Sequence, residues 1–460
     1  MKPVVTVEEM RAVDAEALAE VDEATLVERA GTAVATWALR IMGGGYGRRV
    51  VVLAGKGNNG ADGRVAAARL AARGALVSVV EVHDAPVRLV PPQGADLVID
   101  AAFGTGFRGE YRAPAVPEGV PVLAVDIPSG VDGDTGVACG EPLRADLTVT
   151  FAALKPGLLQ GDGPLLAGRV VVADIGLDAG RARIGLVEDE DVAAHLAPRP
   201  RAAHKWQSAV AVVAGSPGMI GAAELCAHGA YRAGAGMVRL GVPAPAGSPL
   251  PAGEAVSTLL APSGWADEAL AMAERCRAIV VGPGLGRGGQ RPTDVRALLE
   301  GTPVPVVVDA DGLFALGTAA EAAGVIGAAG AGVVLTPHDG EFARLAGEPP
   351  GADRIAATRA LAAALGAVVL LKGPTTVVAE PGGRVLLAAA GTARLATAGT
   401  GDVLAGVIAA FVARGLDPLE AAALGAHVHG AAASLGPPEG LLAGDLADLV
   451  ARWLSAVCRG

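Results

Sequence analysis

Aromatic residues are scarce in this chain, 3% of 460, and cysteine is scarcer still, at four positions. A core short of large rings must be filled by aliphatic side chains, and 52% hydrophobic residues beside 66 glycines point to Ala, Val and Leu packed against tight turns. Cys139, Cys226, Cys276 and Cys458 lie far apart and form no CxxC pair, which argues against a zinc site and a disulfide framework and fits a reducing compartment. Positive charge is also short: 37 Lys and Arg against 48 Asp and Glu leave a net charge of −11. No basic face is therefore expected to meet nucleic acid or an anionic membrane, and a phosphate ligand would have to be held locally. Long apolar runs are missing as well. The run 403–413 is too short to cross a bilayer, and the uncharged stretch 206–223 is broken by Ser, Gly and Pro. Glu8 and Glu9 fall where an export signal would need apolar residues, so the chain is expected to be cytoplasmic.

What is present is an α/β pattern long enough for two domains. Thr6-Val7-Glu8-Glu9 is a capping box, in which hydroxyl and carboxylate satisfy the free amides of a first helical turn, so a helix is expected to about Leu18. Apolar β-rich runs follow at 49–54, 75–82, 96–101, 121–125, 147–151 and 170–173, with Ala-rich helical material after the first, the spacing of a doubly wound fold. Leu196-Ala197-Pro198-Arg199-Pro200-Arg201 breaks every periodicity and reads as a linker, dividing the chain into domains 1–197 and 202–460. A second strand series is expected at 209–214, 278–281, 305–308, 332–335 and 368–371, each ending in Gly, Pro, Asp or Lys. The two halves carry different strand-end motifs and are not repeats of each other.

In the first half, Gly55-Lys56-Gly57-Asn58-Asn59-Gly60 follows a strand and opens a helix, with Glu81 near the end of the next strand. Glycines there let backbone approach a pyrophosphate, so by itself the run reads as a dinucleotide-binding turn, or as a tight turn with no ligand. The continuation Asn58-Asn59-Gly60-Ala61-Asp62-Gly63 crowds amide oxygens and a carboxylate into that turn, which suits a hard cation or a polar ligand. Asp100 and the run Asp126-Ile127-Pro128-Ser129-Gly130 add oxygens at other strand ends, although Asp126 and Ser129 could simply start a turn.

In the second half, Thr397-Ala398-Gly399-Thr400-Gly401-Asp402 leads into an apolar helix whose first amides would point at an anion. Backbone N–H groups there can stabilise a phosphoryl group in flight while Asp402 takes the proton of the acceptor hydroxyl. The plain alternative makes Asp402 a first-turn acid favoured by the helix macrodipole. Further polar, glycine-rich runs follow other strands: 282–286, Asp309-Ala310-Asp311-Gly312, Thr336-Pro337-His338-Asp339-Gly340-Glu341 and Lys372-Gly373-Pro374-Thr375-Thr376. His427 and His429, two apart on a helix, face different directions and cannot form an i, i+4 metal pair, and they and Trp453 read as structural.

The runs GNNGADG, DAAFGTGFRGE, AVDIPSG and FAALKPGL resemble the YjeF N-terminal domain, an NAD(P)H-hydrate epimerase, over most of residues 4–185. The strand-end set of the second half, with His204-Lys205, the run 215–222 and TPHDGE, resembles the ribokinase-like superfamily, and within it the NAD(P)H-hydrate dehydratase, over about 203–457. The fold implied is a Rossmann-like doubly wound domain followed by a ribokinase-like α/β domain. Hydrated NAD(P)H is then expected at Asn58, Asn59, Gly60, Ala61 and Asp62, at Gly104, Thr105, Gly106, Phe107, Arg108, Gly109 and Glu110, and at Asp126. Asn59, Asp100 and Ser129 are implied to hold potassium, and Asp126 and Lys155 to do acid–base work. In the second domain the resemblance puts the hydrate at Ala222, Gly284, His338 and Asp402, and the adenine nucleotide at Lys372, Gly373, Pro374, Thr375, Thr376 and Gly401, with Mg²⁺ accompanying it. ADP, or alternatively ATP, would phosphorylate the ring hydroxyl, and loss of phosphate would restore NAD(P)H. A homo-oligomer is expected. Ala61 and Ala398 depart from glycines usual in the family, and Asp339 replaces a frequent proline and is expected to loosen its loop. A vitamin-precursor kinase fused to a regulatory or NAD-binding domain is the alternative.

Overall fold

The computed structural model describes residues 1–82 and 94–458. Its contacts divide the chain into Lys2–Arg183 and a unit of Ile184–Gly460 together with Met1. The division lies before the Pro-Arg run, where the linker was expected. The reason is local: the strand Ile184–Leu186 adds in parallel to Val385–Ala388, and Asp189 at the start of the helix Asp189–His195 bonds His427. Residues 184–195 thus belong to the second unit's sheet and helices.

In the N-terminal unit the expected capping box forms: Thr6 Oγ1 accepts from Glu9 N at 3.1 Å, Glu9 Oε2 accepts from Thr6 N at 2.9 Å, and the helix runs Val7–Ala17. The sheet has the order Leu76–Glu81, Arg49–Ala54, Leu97–Ala101, Val122–Val125, Leu147–Phe151, Arg169–Ala173, all parallel. Alternate residues go to opposite faces. Val50, Val52 and Ala54 pack under the helices Glu23–Met42 and Asn58–Ala71, whereas Val51 and Leu53 pack with Phe103, Phe107 and Tyr111. The chain leaves Arg49–Ala54 for one neighbour and returns to the other side of it at Leu97–Ala101. That reversal opens a crevice at the strands' carboxyl ends, where doubly wound proteins bind ligands.

The C-terminal unit repeats the principle with a different sheet. Its order is Ile184–Leu186, Val385–Ala388, Thr376–Ala379, Val368–Leu371, Val333–Leu335, Val306–Val308, Ala278–Val281, Ala209–Val213, Met237–Pro243, Val256–Leu260. Only the pairings made by Thr376–Ala379 are antiparallel. The order reverses between Ala209–Val213 and Ala278–Val281, again marking a crevice. The helix Thr400–Ala413 is buried almost all round and lies on Ile220–Arg232. Glycine lets the two backbones touch: a Cβ on Gly406 would stand 2.1 Å from Cys226 O, and one on Gly229 2.4 Å from Val403 O. This contact sets the N-terminus of Thr400–Ala413 at the crevice. Trp453 is buried against His427, as expected of a core residue. Among the described residues no helix is long and apolar enough to cross a membrane.

Candidate active sites

The N-terminal crevice holds a cavity of about 470 Å³. Of the residues expected around a ligand, Asn58, Asn59, Asp62, Gly104, Thr105, Gly106, Phe107, Asp126 and Lys155 line it. Gly60, Ala61, Arg108, Gly109 and Glu110 do not. The glycine run turns helical earlier than a loop would: the helix starts at Asn58, and Ala61 N donates to Gly57 O at 3.1 Å. Ala61 therefore sits in a first helical turn, which a methyl group suits. Gly60 lies behind the wall, where a Cβ would stand 1.9 Å from Gly55 O. Arg108 turns back to its neighbour, donating to Phe107 O at 2.8 Å. Glu81, near the end of the strand that follows the glycine run, is ion-paired with Arg64 and does not line the cavity.

Two adjacent strands end in tight turns that aim side chains at this cavity. Ile127 N bonds Val125 O at 2.8 Å across Asp126, whose φ is 67°, and Ala153 N bonds Phe151 O at 2.7 Å across Ala152, whose φ is 63°. Such γ-turns are strained and persist where the surroundings enforce them. Here the enforcing contact is Lys155, 1% exposed, whose Nζ donates to Asp126 Oδ1 at 2.7 Å, Thr150 Oγ1 at 2.8 Å and Phe151 O at 3.0 Å. All three ammonium donors are thereby used. Two more carboxylates share the cavity. Burial, then the charges of Asp126 and Asp14, push Asp62 up to about 8, and burial also raises Asp14, with Lys155 opposing. Asp14 was not anticipated. It sits in mid-helix between ordinary helix formers, where nothing local marks it.

Beneath the cavity, Asp100 is fully buried and accepts from Ser129 N at 2.9 Å and Ser129 Oγ at 2.6 Å. Burial raises its pKa, those hydrogen bonds oppose the rise, and no cationic side chain pairs with it among the described residues. The amide nitrogen of Asn59 is buried with no partner. Turning that amide over would present an oxygen instead, so Asn59, Asp100 and Ser129 offer the oxygen set and the uncompensated charge that suit a monovalent hard cation.

In the C-terminal unit Asp402 is the third residue of Thr400–Ala413, beside amides that have no intrahelical acceptor. Burial, then the charges of Asp309 and Asp311 with Lys372 opposing, push it up to about 7. Lys372 Nζ donates to Asp309 Oδ1 at 2.8 Å and lies 3.8 Å from Glu341 Oε2. Burial disfavours the lysine's charge, but Asp309 and Glu341 outweigh it and raise the pKa. Thr336 Oγ1 also donates to Asp309 Oδ1, at 2.8 Å, and Asp311 accepts from Gly286 N and Arg287 Nε, each at 2.8 Å. An ideal Cβ on Gly401 would stand 3.6 Å from Lys372 Nζ and 3.8 Å from Asp309 Oδ2, so the helix start rests directly on this ion pair.

The other expected residues fall around that centre. A Cβ on Gly284, at φ 61°, would meet Ala222 Cβ at 2.9 Å, so these two lie against each other. Gly373, Pro374 and Thr375 form the turn after Val368–Leu371, and Thr376 opens the next strand. His338 caps the helix Asp339–Ala346, its Nδ1 accepting from Gly340 N at 3.0 Å. Asp339 does not loosen its loop. It pairs with Arg354 at 2.9 Å, and Arg354 Nη2 also donates to Lys372 O at 2.8 Å, so the substitution ties the loop to the lysine. Ala398 is exposed ahead of the helix. His429, pushed down to about 4 by burial, is neutral and donates from Nε2 to Thr400 O at 2.9 Å, steadying the helix that carries Asp402. Sequence reasoning read both histidines as structural, and it placed the run containing Asp309 and Asp311 at a strand end without assigning either a role.

Residues 210–454 match the NAD(P)H-hydrate dehydratase family, and residues 23–88 and 81–157 match the YjeF-related protein N-terminus. The chain is similar to the bifunctional NAD(P)H-hydrate repair enzyme Nnr of Mycobacterium tuberculosis, 42% identical over 452 residues that cover 92% of each chain. It is 38% identical to the Salinibacter ruber enzyme of the same description, over 98% of this chain and 96% of that one. The Bacillus subtilis ADP/ATP-dependent NAD(P)H-hydrate dehydratase, co-crystallized with ATP/Mg²⁺, superposes with a TM-score of 0.51 at 31% identity, over 59% of this chain and 98% of that one.

Proposed function

The chain belongs to the family of bifunctional NAD(P)H-hydrate repair enzymes, and from that membership we propose that its two units repair hydrated NADH and NADPH in succession. The N-terminal unit interconverts the R and S hydrates. The C-terminal unit dehydrates the S form at the expense of ADP, releasing AMP and phosphate. The observation that carries this reading is Asp402, a carboxylate held near neutrality at a helix N-terminus against the Asp309–Lys372 pair.

Asp402 takes the proton of the hydrate's ring hydroxyl as that oxygen attacks the terminal phosphorus of ADP and the bond to the AMP oxygen breaks. The free amides at Gly401 and Asp402 hold the transferring oxygens, while Lys372, kept charged by Asp309 and Glu341, balances the nucleotide's charge. Phosphate then leaves with the C–O electrons. The ring nitrogen assists, and a proton is lost from the adjacent ring carbon to restore the double bond. Magnesium suits this site when carried on the nucleotide phosphates, since among the described residues no cluster of three acidic, His or Cys side chains could hold it alone. Carried there, the ion would supply charge neutralisation on the phosphates.

In the first unit Asp126 moves the proton as the ring nitrogen helps the hydroxyl leave and return on the other face. Lys155, with every donor committed, holds Asp126 aimed at the cavity. Asn59, Asp100 and Ser129 would hold potassium, which would offset the buried charge of Asp100. We place the enzyme in the cytoplasm as a homo-oligomer; four free cysteines support a reducing compartment, and light scattering checks the assembly.

The test is recovery of dihydronicotinamide absorbance from hydrated NADH with ADP. Asp402→Ala should abolish recovery from the S hydrate, and Asp126→Ala should abolish it only when the R hydrate is supplied. Recovery unaffected by Asp402→Ala removes the base from the mechanism. Parallel rates with ATP settle the nucleotide preference.

A further inference from the structure

A second cavity in the C-terminal unit, of about 130 Å³, is far below the roughly 300–1,000 Å³ of a site that encloses a whole ligand. It has the size of a subsite for one compact group. Its walls include Arg287, Ala310, Phe314, His338 and Arg344. Both guanidinium groups lie over the Phe314 ring, Arg287 at 4.9 Å and Arg344 at 3.5 Å from the centroid. Stacking of this kind fixes the plane of a guanidinium while leaving its N–H edge free for an anion.

The two arginines differ in their hydrogen-bond partners. Arg287 is neutralised by Asp311, Nε to Oδ1 at 2.8 Å. Arg344 donates to a backbone carbonyl, Phe314 O at 3.4 Å, rather than to a carboxylate. The acid in the wall, Glu341, is engaged elsewhere: its Oε2 accepts from His338 N at 2.9 Å and faces Lys372 Nζ at 3.8 Å. Among the described residues Arg344 is thus a guanidinium with no carboxylate hydrogen-bonded to it, held over the Phe314 ring. Ala310, at φ 50°, stands between Asp309 and Asp311, so the chain is held in a strained conformation where this wall meets the reaction centre.

We propose that this cavity binds a phosphate group of the hydrated dinucleotide and that Arg344 is its specificity-determining residue, a reading that rests on the dehydratase activity proposed above. The group is either the 2′-phosphate, present only on hydrated NADPH, or the bridging diphosphate, present on both hydrates. A bidentate guanidinium–phosphate contact accounts for about a tenfold change in affinity or more.

Steady-state dehydration by the full chain, with the S hydrates of NADH and NADPH and with ADP varied, tests this in the unsubstituted protein, Arg344→Ala and Arg344→Lys. Arg344 is exposed, so the substitutions should leave the melting temperature in place. Arg344→Ala should raise KM for hydrate about tenfold, leave kcat within about twofold and leave KM for ADP unchanged, with partial rescue by lysine. An effect confined to hydrated NADPH identifies the 2′-phosphate, and an equal effect on both hydrates identifies the diphosphate. Unchanged KM for both hydrates, or a rise confined to ADP, overturns the inference while dehydration by the unsubstituted protein leaves the activity standing. Failure of the unsubstituted protein to dehydrate either hydrate overturns both.

Discussion

Single ionisable residues set the clearest expectations. Asp402 must be deprotonated to act as a base, and with its pKa near 7 the dehydration kcat/KM should climb from pH 6 to pH 8 and level off above, as a pH–rate profile would show. A profile flat across that range contradicts the assignment. Asp62 makes the opposite kind of statement, about stability. Its folded pKa is raised from 3.8 to about 8, so between those values the folded chain keeps a proton that the unfolded chain has lost. This group's contribution is full below pH 3.8 and declines as pH rises towards 8. Asp62→Asn should therefore raise the melting temperature of the N-terminal unit more at pH 8 than at pH 5. Lys155 is buried and paired, so Lys155→Met should cost roughly 3–5 kcal/mol in chemical denaturation as well as epimerisation, because Asp126 is left without its counter-charge. Asp402 and Asp126 stood out in sequence because each sits in a glycine- or proline-rich run, whereas Lys155 entered only through the family resemblance of its run. Asp14 did not, since only the fold brings its helix over the crevice.

At the scale of elements, the helix Thr400–Ala413 concentrates the argument. It is apolar on every side, so it can only be central, and Gly406 against Gly229's helix sets its depth. Gly401 faces the other way. A methyl there would meet Lys372 and Asp309 at ordinary contact distance and would favour the helix by up to about 1 kcal/mol, yet it would cover the surface a phosphate must reach. Gly401→Ala should leave the melting temperature unchanged or higher while raising KM for ADP at least tenfold by kinetics. Gly406→Ala should instead lower stability, since the same methyl would stand 2.1 Å from a carbonyl. Most parallel strands were legible because buried strands read as apolar runs bounded by Gly, Pro or Asp. Met237–Pro243, Val256–Leu260, Thr376–Ala379 and Val385–Ala388 were not, for they lie among glycines and charged residues that interrupt the apolar pattern.

At the scale of the whole molecule, the division between Arg183 and Ile184 carries its own test. A fragment beginning at Ile184 keeps the strand Ile184–Leu186 and the Asp189–His427 bond, whereas one beginning at residue 202 uncovers the edge of Val385–Ala388 and leaves His427 buried without its partner. The longer fragment should melt at a clearly higher temperature by calorimetry. Equal melting temperatures would show that residues 184–201 add nothing. The sequence by itself determined the α/β class, the presence of two domains, the family and the strand-end runs, because hydrophobic period and turn chemistry are local properties carried by neighbouring residues. Only the tertiary structure decided where the domains divide, that Asp14 joins Asp62 and Asp126, that Asp339 is pinned by Arg354, and that Arg287 and Arg344 share one ring. Each of these depends on residues distant in the chain meeting at a strand end or across a helix face, and no local pattern records such a meeting.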